Sequence, residues 1–330
     1  MDIYIDKDNL LSFIRSAKSE DFADCERWLK RQANIFFNFS KQDIKNEPNI
    51  SDQQDFMQWF KSLSSGTANN ILPKWGCNFP KRPLEKDIHK DNNFNHKQLS
   101  AVYLLNDENC ELLKRLGNFL VAPIGQEVKT ISSLFLDDDY QFTINKSTKE
   151  LTSWCNLQKF VSPCSDIIIA DKFIFSDKNL LEFNIYKIIE QLISLVGNSK
   201  INILFFTLKS KMDSSCKEII PEVKYRVKEK IGKEPNVTII AAQTIIEEHD
   251  RTIFTNYKLY NSGDTFNYFG SKNKLITNGR YLHIHSNALT ENMKNSFKFI
   301  EDMQNIVAKL LKENTDCIHG DKVCNYISFS

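Results

Sequence analysis

The stretch Glu247–Asn267, EEHDRTIFTNYKLYNSGDTFN, gathers an imidazole, a guanidinium, several carboxamides and a glycine into one short strand-like alternation. His249 and Arg251 stand two positions apart, so on an extended chain both side chains leave the same face. An imidazole can act as nucleophile or general base, and a planar guanidinium matches the non-bridging oxygens of a phosphate ester. Asn256 can accept a hydrogen bond from an imidazole N–H, although without the charge that would stabilise an imidazolium. Gly263 would admit a close backbone approach, and Asn267 could donate its amide to the same oxygens. The chemistry these types suit is the binding or cleavage of a phosphodiester.

The spacing resembles the signature of the phospholipase D superfamily: His-x-Lys, four residues, Asp, six residues, Gly-Ser-x-x-Asn. Here the same offsets read His249-Asp250-Arg251, Asn256, then Gly263-Asp264-Thr265-Phe266-Asn267. Arg251 stands where the family has its lysine, Asn256 where it has a carboxylate, and Asp264 where it has a serine. The resemblance covers about residues 160–315 and implies a mixed sheet flanked by helices. It assigns His249, Arg251 and Asn256 to catalytic positions and Arg251, Gly263 and Asn267 to the phosphate, with no metal and no cofactor. His285 could line the same cleft from a neighbouring strand. The family uses two histidines from two motifs, so turnover by this single motif would need a homodimer that pairs two His249 rings. Asp264 would repel phosphate unless it turns away. The His-Asp-Arg triplet is also similar to that of the phospholipase D-like C-terminal domains of some trafficking proteins, which keep the fold, lack hydrolysis and bind phosphoinositide membranes.

Three functions stay open on these residues. The first is a phosphodiester-binding protein without turnover, recognising nucleic acid, an architecture that by analogy suits bacterial antiviral defence. The second is a dimeric, metal-independent nuclease or phosphodiesterase. The third is a non-enzymatic module for a membrane or a protein partner, and the missing polybasic or amphipathic segment counts against the membrane.

Other candidates carry less. His283 and His285 share a strand face as a metal pair would, but no carboxylate or cysteine pattern completes a shell. Cys317, His319 and Cys324 match no common zinc spacing. Asp137–Asp139 reads as a solvated turn. Lys74–Pro83, KWGCNFPKRP, interleaves aromatics with cations as base-stacking loops do, and equally as an ordered loop packed on a core does.

These residues must be positioned by the elements around them. The chain of 330 residues exceeds the usual size of one core, which predicts an α+β N-terminal domain over 1–155 and an α/β domain over 156–330. In the second half, strands at Asp166–Phe175, Ile201–Leu208 and in NVTIIAA alternate with helical patterns. That order predicts parallel β–α–β units with an antiparallel continuation through Lys274–Ser286. A final helix places Met293, Phe297, Ile300, Met303, Val307 and Leu310 on one face. In the first half, Ser51 with Gln54 reads as a capping box, Leu99–Leu105 as a buried strand and Leu72–His96 as a long loop. The formal net charge of +1 gives no global attraction for nucleic acid or anionic lipid, so any such contact must be local. Eight scattered cysteines, an acidic opening segment and no long apolar run predict a cytoplasmic protein with reduced thiols.

Overall fold

The computed structural model describes the whole chain except residues 65–72, 78–98, 107–118, 136–139, 148–149, 197–199, 243–250, 279 and 314–315. The fold comprises two units. One spans Met1–Phe135 with Ala288–Thr290, the other Leu136–Asn287 with Glu291–Ser330.

The N-terminal unit is built on a parallel four-stranded sheet in the order β2-β1-β3-β4, with β1 Asp2–Ile5, β2 Asn34–Phe37, β3 Val102–Leu104 and β4 Leu120–Ala122. This corrects the α+β expectation: the unit alternates strand and helix, and its strands run parallel. Its helices are α1 (Lys7–Arg15), α2 (Phe22–Arg31), α3 (Lys41–Lys45), α4 (Ile50–Ser64) and α5 (Glu127–Ser132). Asp6 caps α1 by accepting the Asn9 N–H. The cap of α4 falls earlier than the sequence suggested: Asn49, not Ser51, accepts the N–H groups of Ser51 and Asp52. Trp75 packs against Phe37, Phe39 and Phe60, and Lys74 lies over the Phe36 ring. Trp75, the aromatic of that loop that is described, serves the core, and residues 78–83 fall outside the described residues.

The second unit carries an eight-stranded mixed sheet in the order β12-β8-β7-β6-β9-β10-β11-β5. Its strands are β5 Tyr140–Ile144, β6 Asp166–Ala170, β7 Asn202–Leu208, β8 Asn236–Ala242, β9 Arg251–Thr255, β10 Lys258–Ser262, β11 Arg280–Ser286 and β12 Ile318–Gly320. β6, β7 and β8 are parallel, and the others join antiparallel. The mixed sheet matches the coarse expectation. The boundary does not: β5 pairs with β11, so residues from 140 onward belong to this sheet rather than to a domain ending at 155.

β6 and β7 carry apolar residues on both faces and are buried except for the partly buried Leu208, as parallel strands covered on two sides require. On one face Ile167, Ile169, Ile203, Phe205, Val237, Ile239 and Ile253 join α6 (Ile185–Leu192) and α7 (Cys216–Ile231) in a single cluster. α7 contributes Ile219, Val223, Val227 and Ile231, a strict four-residue spacing. Pro221 stands inside it without ending the helix, which closes at Gly232 in the left-handed region (φ 72). α8 (Thr290–Lys312) buries Met293, Ile300, Met303, Val307 and Leu310 of the face its periodicity predicts, while Phe297 is only partly buried. Among the described residues no helix is long and apolar enough to cross a membrane.

Candidate functional site

β6 and β9 are antiparallel, with Ala170 opposite Thr252. The next residue of each strand, Asp171 and Arg251, therefore meets at the carboxyl edge of the parallel strands. Arg251 also lies opposite Ser262, the last residue of β10. From there 263–267 runs back to Asp171, whose carboxylate accepts the Thr265 hydroxyl at 2.7 Å and the Phe266 N–H at 2.8 Å. A third donor, the Phe173 N–H, closes a tight turn on the same carboxylate at 2.8 Å. Burial raises the Asp171 pKa to about 6, against the lowering effect of these donors and of Arg251.

Arg251 is partly exposed, its guanidinium carbon 5.9 Å from the centre of the Phe173 ring. It makes no ion pair or hydrogen bond among the described residues, and its buried Nε has no partner. Asn267 is 5% exposed and donates Nδ2 to the Phe173 carbonyl at 3.2 Å, leaving its own Oδ1 buried and unpartnered. Arg251 and Asn267 thus come together around the Asp171–Phe173 turn. An unpaired guanidinium on an aromatic face, at the carboxyl edge of parallel strands, can take an anionic oxygen.

The other residues of the motif part company. His249 lies outside the described residues. Asn256 sits beyond the far end of β9, about 17 Å of strand from Arg251. It is fully buried and its Oδ1 accepts the backbone N–H groups of Ser165 and Asp166 at 2.9 and 3.3 Å, so it clamps the start of β6. Its place in a catalytic set is corrected accordingly: its hydrogen bonds go to the Ser165–Asp166 backbone and to the Ser165 hydroxyl, which accepts Nδ2 at 3.0 Å. Gly263 answers a different crowding from the one expected, because a Cβ there would stand 3.2 Å from the Tyr281 ring. His285 pairs with Leu259, and Leu259 with Phe254. Three positions separate Phe254 from Arg251, so His285 projects from the opposite face of the sheet and lines no cleft with Arg251. It faces His283 instead, at 5.8 Å between ring centres.

Asp264 does turn away. Its carboxylate accepts the Thr265 N–H at 2.8 Å and the Thr277 hydroxyl at 3.1 Å, and pairs with Arg280 at 3.5 Å. The Ser262 hydroxyl, on the inner side, bonds instead to the Asp264 carbonyl and the Tyr268 phenol. Among the described residues no group of three His, Cys, Asp or Glu side chains could hold a metal, Cys317, His319 and Cys324 included.

Asp171 and Phe173 were not singled out in the sequence. The signal was present: an acid ending the apolar run DIIIA marks the edge where such a strand leaves the core. No protein-family model, curated protein or solved structure matches the chain, so the likeness to phospholipase D rests on the motif offsets alone.

Proposed function

We propose that the C-terminal unit binds a phosphodiester of nucleic acid at the carboxyl edge of its parallel strands, without turning it over. The observation that carries this reading is the Arg251 guanidinium, which lies against Phe173 unpaired among the described residues, while Asp264 is committed to Arg280 and Thr277. Arg251 supplies the planar fork for a phosphate oxygen, and Asn267 holds the Phe173 turn on which the guanidinium rests. Asp171 tempers the site, because its carboxylate competes for the same cation. Hydrolysis is disfavoured by the position of Asn256, which leaves the motif without the group that would orient an imidazole.

The test is fluorescence anisotropy with a labelled oligonucleotide across a salt series. Arg251→Ala should weaken binding and reduce the slope of log affinity against log salt by about one. His249→Ala should leave affinity unchanged. An arginine variant with wild-type affinity and slope defeats the reading. Cleavage that persists in EDTA and is lost in His249→Ala would replace it with the dimeric nuclease.

A further inference from the structure

Arg251 is one of two cations on the Phe173 ring. The other is Lys211, whose Nζ stands 5.7 Å from the ring centre, against 5.9 Å for the Arg251 guanidinium carbon. The topology explains the meeting. β6 lies between β7 and β9 in the sheet, and Phe173 follows the carboxyl end of β6. Lys211 follows the carboxyl end of β7, and Arg251 opens β9, which runs antiparallel to β6. The two cations therefore reach one ring from strands on either side of β6. Lys172, beside Phe173, and Lys209, the first residue after β7, stand on the same edge.

The backbone beneath these side chains is pinned. The Asp171 N–H donates to the Phe206 carbonyl at 3.0 Å, and the Thr207 hydroxyl to the Lys172 carbonyl at 3.3 Å, so the Phe173 turn is tied to β7. The Asp213 N–H donates to the Phe175 carbonyl at 2.8 Å and ties the Lys209–Lys211 turn to the same segment. The charged ends are not committed. Among the described residues, Lys172, Lys209, Lys211 and Arg251 have no ion pair and no side-chain hydrogen bond. Lys209 and Lys211 are exposed, and Lys172 and Arg251 partly so. The acids beside them are already engaged. Asp171 is buried and holds three donors, and the Asp213 carboxylate accepts the Lys178 N–H at 2.8 Å. Four cations then face two carboxylates at this edge, a local positive excess in a chain whose formal net charge is +1.

We propose that Lys211 is a second phosphate-binding residue, and that the ligand is a nucleic-acid chain laid across the ends of β9, β6 and β7 with successive phosphates on Arg251 and Lys211. This rests on the reading of Arg251 as a phosphate ligand. Neighbouring strands stand about 4.8 Å apart, so the two cations rise from strands roughly 10 Å apart. One phosphate held at hydrogen-bond length on both sides is short for that gap, whereas consecutive phosphates of one chain span it. The two heads suit different tasks: the planar guanidinium fixes the orientation of one phosphate, and the ammonium, a point charge on a flexible stem, follows the next.

Anisotropy of a labelled oligothymidylate with the full-length protein, across a salt series, tests this. On a single strand each neutralised phosphate contributes about 0.7 to the slope of log affinity against log salt. Lys211→Ala and Arg251→Ala should each lower the slope by about 0.7, and the double variant by about twice as much. Lys298→Ala, at an exposed position of α8, should leave it unchanged. Competition by short ligands counts the phosphates directly. A 5′-phosphorylated thymidine dinucleotide, with two phosphates, should displace the label from wild type at lower concentration than thymidine monophosphate does, and Lys211→Ala should erase that advantage. A double variant no worse than Arg251→Ala, equal competition by the two ligands in wild type, or an equal loss in Lys298→Ala overturns the proposal. Loss of binding in Arg251→Ala but not in Lys211→Ala removes the second subsite and leaves the phosphate reading standing. Wild-type behaviour in both variants removes the two together.

Discussion

Lys258 opens β10 and is 1% exposed. Its ammonium has no ion pair and no hydrogen bond among the described residues. Burial alone pushes its pKa from the ordinary 10.5 down to about 8. A lysine held in this way costs the folded state free energy whenever it is charged. The unfolded chain binds the proton more tightly, so between pH 8 and 10.5 it carries more protons and stability rises with pH. At 1.36 kcal/mol per pKa unit, the penalty below pH 8 is on the order of 3 kcal/mol. Lys258→Met keeps the stem and removes the charge. At pH 7 the variant should be more stable by up to about 3 kcal/mol, and the gain should shrink as pH approaches 10.5. Urea titration read by hydrogen exchange of β10 and β11 peptides follows this unit by itself, and subtracting wild type from variant removes the other titrating groups. A methionine variant less stable than wild type at pH 7, or an advantage that does not change with pH, would refute the reasoning, since either result means that a favourable partner holds the ammonium.

Asn256→Ala should destabilise the second unit by roughly 2–4 kcal/mol, through the N–H groups it strands at Ser165 and Asp166. The folded fraction should bind oligonucleotide as wild type does; a selective loss of binding would return Asn256 to the site. Gly320→Ala puts a Cβ 2.1 Å from the Val237 carbonyl oxygen at a φ of +99, and should cost about 2–4 kcal/mol and release β12 from β8. Unchanged exchange protection of β12 would contradict that. The Asp171 carboxyl should titrate near pH 6 by carbon-detected NMR. Because its folded pKa is raised, its contribution to stability is greatest below 3.8 and falls as pH rises through about 6. A midpoint in the ordinary aspartate range would show that Arg251 and the three donors outweigh burial.

The second unit was legible where one residue pattern served one purpose. Runs such as NILFFTL and NVTIIAA are buried on both faces, and the helices between them repeat at the helical period, so β6–β8 and α7 follow from hydrophobicity alone. The N-terminal sheet was legible only in part: β3 lies within the strand read over Leu99–Leu105, but strands of three or four residues leave no period to detect, so β2, β4 and the parallel pairing were not read. Motif offsets grouped Arg251, Asn256 and Asn267, and the structure keeps Arg251 near Asn267 but sets Asn256 apart from both. A strand of five residues carries its two ends far apart, and only the register of β6 against β9 reveals which end meets the site. Lys211 was invisible for a related reason. It is far from Arg251 in the chain, and the two meet only at the Phe173 ring.

Asp166, at the amino end of β6, is fully buried, and Asn325 reaches it with both its backbone N–H and its amide at 2.9 and 2.8 Å, across 159 positions. On a ribosome adding about 5–20 residues per second, that carboxylate waits on the order of ten seconds or more for its last two donors. Until then its side-chain donors are the Ser165 hydroxyl and the Asn202 amide alone among the described residues. The tail therefore acts as a late latch on the first strand of the parallel set.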